Sequence, residues 1–152
     1  MESRGGFLIS QIKHISDRVS ERVLNQFGLK DFNGAQGKLL YVLWQTEGIS
    51  SAELADRAGL APTTLTTMLD RMERAGLVER VAHETDRRRL KIMLTDRAKR
   101  LKSAYDEYST SMTRAYYRGF SESEIIEFEK SLMRVLENLR ECEQSGKTPE
   151  AY

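Results

Sequence analysis

Long apolar runs are missing from this 152-residue chain, and so are most of the residues that small proteins use to staple themselves together. No segment approaches the roughly 20 consecutive apolar residues that a membrane-spanning helix needs. The opening MESRGGFLISQ holds neither a continuous apolar stretch nor a small-residue cleavage site, so secretion is not expected and the cytoplasm is the default. A single cysteine, Cys142, excludes an internal disulfide. None is needed, because a chain of this length buries roughly 68–70% of its extended surface. Only two histidines occur, His14 and His83, too few and too far apart in sequence for a zinc site, so no metal is expected. His14 stands beside the apolar stripe of the first helix, either as a solvated or core-edge residue or as a contact for a ligand. Paired carboxylates with an evident pocket, a nucleophile beside a base and a glycine-rich phosphate loop are all lacking. An enzyme is therefore the poorest class, and no cofactor is expected.

Net charge is also scarce, at +1, but its distribution is uneven. Residues 71–102 carry eleven Lys/Arg against five Asp/Glu, a net of +6. Residues 121–152 carry four against eight, a net of −4 from side chains. The basic stretch suits a polyanion. The acidic one reads as a solvated face turned away from it.

What is present is concentrated between Ser50 and Thr95. Ser50 can cap a short helix, with Glu53 three residues on as the return arm of a capping box. Leu54, Ala55 and Ala58 share one face, and Gly59 suits a left-handed stop. Pro62 then opens a second helix. Leu65, Met68, Leu69 and Met72 form its inner stripe. Thr63, Thr66, Thr67, Asp70, Arg71 and Arg74 occupy the other face, which suits a polar, negatively charged partner. After Gly76 the period changes. Leu77–Val81 and Leu90–Leu94 read as two strands around the tip AHETDRRR, where Arg87, Arg88 and Arg89 are consecutive. A helix-turn-helix followed by a basic hairpin is a winged helix. Its second helix can enter a major groove while the tip reaches the neighbouring minor groove.

The flanks are helical. Leu8, Ile12, Ile15, Val19, Val23 and Phe27 trace a first helix over residues 7–27, ended by Gly28. A loop, GLKDFNG, leads to a second helix near 34–47 with Leu39, Leu40, Leu43 and Trp44 buried. Gly37 inside it either permits close packing of another helix or is simply tolerated. Thr95 caps a long helix expected to reach Phe120, marked by Leu101, Tyr105, Tyr108, Met112 and Tyr116. Ser121 and Glu124 form a capping box for a last helix carrying Ile125, Phe128, Leu132, Val135, Leu136 and Leu139. Neither end can bury its stripe alone. The chain is therefore expected to form a homodimer through its first helix and its last two.

The ordered set ISSAELADRAGLAPTTLTTMLDRMERAGLVER followed by DRRRLKIMLT resembles the MarR family of dimeric winged-helix transcription regulators, over nearly the whole length. The resemblance implies a mainly α fold with a small β-hairpin wing, a winged helix-turn-helix flanked by dimerisation helices. It divides the chain into an N-terminal dimerisation helix (1–32), a DNA-binding domain (33–95), C-terminal dimerisation helices (96–144) and a flexible tail (145–152). Carried across, Thr63, Thr64, Thr66 and Thr67 match recognition-helix positions that meet bases and phosphates, and Arg71 an arginine placed later in that helix. Asp86 matches the aspartate that shapes the wing turn and Arg88 the arginine that enters the minor groove. Arg87 and Arg89 are then phosphate or structural partners. The implied function is sequence-specific binding of double-stranded DNA by a homodimeric repressor at a pseudopalindromic operator. The resemblance further implies release by a small aromatic or phenolic ligand between the dimerisation helices and the winged unit. Tyr41, Trp44, Tyr105 and Tyr108 suit such a crevice or, equally, core packing. The chain departs from the family at Thr67, where many members carry arginine, at Ala61, which replaces a polar cap, and at Gly37, where a large residue is frequent. It also lacks the N-terminal cysteine of peroxide sensors and the ligands of zinc sensors. The alternative reading is a winged-helix protein-interaction module without specific DNA binding.

Overall fold

The structure, a computed structural model, describes residues 3–145. The expected tail, apart from Ser145, lies outside them. The chain divides into one unit running to Met112 and a second beginning at Thr113.

In the first unit, α1 (Gly5–Gln26) has two different halves. Its start exposes Phe7, Leu8, Ile9, Ile12 and Ile15, whereas Ser20 and Leu24 are buried and Val19 and Val23 pack against the core. The chain turns at Gly28 (φ +70°), and Leu29 and Phe32 enter the core from the connecting segment. Asn33 then opens α2 (Gly34–Gln45) with a complete capping box. Its Oδ1 accepts from Gln36 N–H at 2.9 Å, while Gln36 Oε1 accepts from Asn33 N–H at 3.0 Å. Leu39, Leu40 and Leu43 are fully buried.

A short strand absent from the sequence reading, β1 (Ile49–Ser50), leads into α3 (Ser51–Ala58). Ser50 accepts from Glu53 N–H at 3.2 Å, but the return arm of that box is missing. The Glu53 carboxylate turns instead to Arg57, one turn on, at 2.7 Å, because a guanidinium attracts it more strongly than an amide. Gly59 ends the helix at φ +66°. α4 (Pro62–Arg74) begins with no side-chain cap from Ala61 and buries Leu65, Leu69 and Met72.

β2 (Val78–Ala82) and β3 (Leu90–Leu94) pair antiparallel, and β1 adds to the other edge of β3 to give the order β1-β3-β2. Val78 lies opposite Leu94 and Arg80 opposite Ile92, so Val78, Ile92 and Leu94 face the core together. β2 is one residue later than the sequence suggests, because Leu77 N–H still bonds to Met72 at the end of α4.

The long helix expected from Thr95 to Phe120 is two helices. Thr95 caps α5 (Asp96–Arg100), accepting from Ala98 N–H at 3.2 Å. The Ala98 carbonyl then takes the Trp44 indole N–H at 3.1 Å and Leu101 N–H at 3.2 Å, a tight turn in place of regular α bonding. α6 (Lys102–Tyr116) follows, buries Tyr105, Tyr108 and Met112, and stops short of Phe120 as the chain approaches Gly119 at φ +88°.

In the second unit, Ser121 and Glu124 cap α7 (Glu122–Ser145) reciprocally. Ser121 N–H donates to Glu124 Oε2 at 2.8 Å, and Glu124 N–H to Ser121 Oγ at 3.4 Å. Tyr117, Phe120 and Phe128 meet in ring contacts, and the Tyr117 hydroxyl donates to Glu129 at 2.7 Å. No residue of α7 is buried. Among the described residues, no helix is long and apolar enough to cross a membrane.

Candidate nucleic-acid interface

The outer face of α4 presents Thr63, Thr64, Thr66, Thr67 and Arg71, all exposed. The Thr66 hydroxyl donates back to the Pro62 carbonyl at 2.9 Å and that of Thr67 to the Thr63 carbonyl at 3.2 Å. Further along, Asp70 and Glu73 would put negative charge on a surface otherwise suited to phosphates. Arg80, on β2, offsets part of it. Its two terminal nitrogens donate to Asp70 at 2.7 Å and Glu73 at 2.5 Å, and Glu73 also accepts Arg80 N–H at 3.2 Å. Burial alone would lower the Arg80 pKa, but the two carboxylates outweigh it and hold the guanidinium above its ordinary value. This clasp fixes α4 to the base of the wing.

A second arginine sets the far end of α4. Arg97, on α5, donates to the Ala75 carbonyl at 2.6 Å and to Asp31, in the α1–α2 connection, at 2.6 Å. It satisfies one of the terminal carbonyls of α4 with a cation, which the helix dipole favours. The sequence alone gives neither arginine a role. Their partners lie up to 66 residues away, so no local pattern announces them.

At the wing tip, Asp86 Oδ1 accepts Arg88 N–H at 3.0 Å, its carbonyl accepts Arg89 N–H at 2.9 Å, and the Arg89 carbonyl accepts His83 N–H at 2.8 Å. His83 Nδ1 lies 2.9 Å from the Thr85 hydroxyl. The loop is thus closed by its own backbone and one carboxylate. Among the described residues, the guanidiniums of Arg71, Arg87 and Arg88 have no acidic partner, and that of Arg89 has only Asp86 at 3.9 Å. Three exposed guanidiniums side by side therefore project from the tip.

The four aromatic residues considered for a crevice come together around Tyr105. Its ring centroid lies 6.3 Å from Tyr41, 4.9 Å from Trp44 and 5.2 Å from Tyr108, with Phe32 at 6.2 Å. Burial, then the neighbouring Tyr108, pushes the Tyr105 phenol well above its usual pKa. The Tyr108 hydroxyl lies 2.6 Å from Ser20 Oγ, joining α6 to α1. Tyr41 alone of the four is exposed. His14 lies on the open face of α1, and Cys142 is half-buried on α7. No group of three potential metal ligands occurs among the described residues.

A family model described as "MarR family" matches residues 32–90. The HTH-type transcriptional regulator YsmB of Bacillus subtilis is 29% identical over 134 residues, covering 85% of this chain and 88% of that protein. The crystal structure of the transcriptional regulator SlyA superposes with a TM-score of 0.83 at 21% identity, covering 95% of this chain and 100% of that one. The S. aureus MepR–DNA complex gives 0.78 at 26%, with 91% of this chain and 99% of MepR covered.

Proposed function

We propose that the chain is a transcriptional regulator of the MarR family and acts as a cytoplasmic homodimer binding a pseudopalindromic operator in double-stranded DNA. The observation that carries this is the division of charge on the winged unit. Arg80 holds both carboxylates of α4 and offsets one of their two charges, while among the described residues the guanidiniums of Arg71, Arg87 and Arg88 have no acidic partner. A surface so arranged attracts the closely spaced phosphates of a polyanion. The MepR structure, a DNA complex of the same fold, supports the reading.

In the proposed complex, the exposed face of α4 lies in the major groove and the Arg87–Arg89 tip follows the adjacent minor groove. Phosphates give most of the affinity, and base edges the preference. The exposed apolar faces of α1 and α7 supply the dimer contact, and two recognition helices then serve half-sites about 34–36 Å apart or a multiple of that. Repression by occupancy of a promoter is the simplest output of such a dimer. Tyr41, at the open edge of the Tyr105 cluster, is where a small aromatic or phenolic acid meets the core and shifts the dimer away from the DNA-matching state.

Selection of bound duplexes from a random library, followed by titration of the winner at several salt concentrations, tests the proposal. The expected result is an enriched inverted repeat whose affinity falls steeply with salt. Equal, weak binding to every duplex would overturn it.

A further inference from the structure

The hydroxyls on the outer face of α4 differ in what they have left to offer. Those of Thr66 and Thr67 have spent their protons on the carbonyls of Pro62 and Thr63. Each of these threonines therefore retains an oxygen that can accept and a methyl group, but no donor. Thr63 and Thr64 have no side-chain partner among the described residues and keep the freedom to donate. Close to the helix start, beside its free amides, they suit phosphate oxygens. Asp70, one turn beyond Thr66, is held by Arg80 and is closed as a base reader. The nearest permanent donor is Arg71, one turn beyond Thr67.

In the major groove a guanine displays two acceptors, N7 and O6, and so asks for donors. Cytosine displays an amine without a methyl. An A·T pair displays the adenine N6 amine, which asks for an acceptor, next to the thymine methyl, which asks for an apolar contact. Acceptor oxygens beside methyl groups match both features of the A·T pair and neither acceptor of guanine. We infer that Thr66 and Thr67 are specificity-determining residues that select A·T pairs beneath the first two turns of α4, chiefly through the thymine methyl; this rests on the DNA-binding reading above.

For Thr66 or Thr67 to read guanine instead, its hydroxyl would have to turn away from the helix and give up a bond it already makes. Nothing comparable is asked of it over an A·T pair. Its oxygen and methyl are available as they stand.

The test replaces each thymine of the selected operator singly with deoxyuridine, which differs only in lacking the methyl. The parent should lose about fourfold in affinity per contacted methyl, the change expected for one methyl-sized group returned to water. The double variant Thr66→Ser/Thr67→Ser keeps both hydroxyls but not the methyls, and should tolerate deoxyuridine. Thr66→Val/Thr67→Val keeps the methyls and should remain sensitive. Tolerance of deoxyuridine at every thymine by the parent, or undiminished sensitivity in the double serine variant, would overturn the inference. Salt-dependent binding to winning sites whose every α4-sensitive pair is G·C would overturn it while leaving the DNA-binding reading intact. A library yielding no enriched duplex would overturn that reading and this inference with it.

Discussion

Gly37 shows how tightly single residues are held in the first unit. A Cβ built on it would sit 2.9 Å from Tyr105 Cε2 and 3.3 Å from Phe32 Cε2. Neither ring can retreat easily, because Tyr105 is wedged among Trp44, Tyr41 and Tyr108. Alanine would gain about 1 kcal/mol in helix propensity, against roughly 1–3 kcal/mol for overpacking. Gly37→Ala should therefore be net destabilising, by up to about 2 kcal/mol, read as a lower urea midpoint; an unchanged or higher midpoint would mean that the rings give way. The sequence raised close packing of another helix as one reason for this glycine, and the ring that fills the space is on α6. It could not name the ring, because no local pattern links residue 37 to residue 105. Arg80 and Arg88 make a second pair of instructive residues. The Arg88 guanidinium is exposed and has no acidic partner among the described residues, and the bond from its N–H to Asp86 survives truncation, so Arg88→Ala should leave thermal stability alone, weaken operator binding and reduce the salt slope by about one. Arg80→Ala should do more, because it frees Asp70 and Glu73 on the DNA-facing side. Binding should fall further than for Arg88→Ala, with a stability loss of only about 1 kcal/mol, since both carboxylates are roughly half exposed and screened by solvent. Equal effects of the two variants on binding would argue against the clasp as a device for clearing negative charge. That the threonines lie exposed on α4 and the three arginines at the wing tip is legible from type and spacing; their contacts with DNA are a proposal. The roles of Arg80 and Arg97 are not legible in that way, since they come from partners on other elements.

Elements were legible where their signals are local and uncertain where a distant contact decides. Pro62 and the Leu65–Leu69–Met72 stripe place α4 without help, and β3 falls where its branched residues end. The Asn33–Gln36 box is equally local, but it sits at the end of GLKDFNG, whose composition reads so strongly as loop that it masks the cap. The break between α5 and α6 was out of reach. It depends on Trp44 taking the Ala98 carbonyl across 54 residues of chain. β1 is two residues long and exists only because β3 offers it an edge. α7 shows what a local signal is worth when little else holds an element. Its start rests on the Ser121–Glu124 box, with the Glu124 carboxylate held below its ordinary range first by the Ser121 amide and then by the Ser121 hydroxyl. A folded pKa below the ordinary 4.5 means that the support is in place above that pH and is lost as pH falls through the folded value. Ser121→Ala should cost about 0.5–2 kcal/mol of local stability, seen as faster amide exchange in the first turn of α7. The same amides should exchange faster in the parent, relative to intrinsic rates, on acidification below pH 4.5, with a smaller change in the variant. Equal acid sensitivity in both would show that the box does not govern this end.

Taken as a whole, the molecule has two surfaces that should answer to salt in opposite ways. α7 is 24 residues long, about 36 Å at 1.5 Å per residue, and buries none of them. Phe128, Leu132, Val135, Leu136 and Leu139 recur on it at three- and four-residue steps, all exposed, and α1 adds Phe7, Leu8, Ile12 and Ile15. Apolar faces of this extent on one chain mark an association surface, and a second copy offers the same faces. α7 also carries three Lys/Arg against seven Asp/Glu, a net of −4. Two copies brought together repel through that charge while their apolar stripes attract. Moderate salt screens the repulsion and leaves the attraction, so the dimer should hold or tighten as salt rises. The winged unit works the other way, because its cations gain by releasing counterions from DNA, and added salt removes that gain. Sedimentation at micromolar concentration should show a species of twice 17.5 kDa whose dissociation constant does not rise between low and moderate salt, while operator affinity falls over the same range. Leu136→Glu/Leu139→Glu should shift the species toward monomer and weaken operator binding without altering the wing. A parent that sediments as a 17.5-kDa monomer would end the dimer proposal. A dimer that falls apart as salt rises would show instead that ion pairs, rather than the apolar stripes, hold the two copies together.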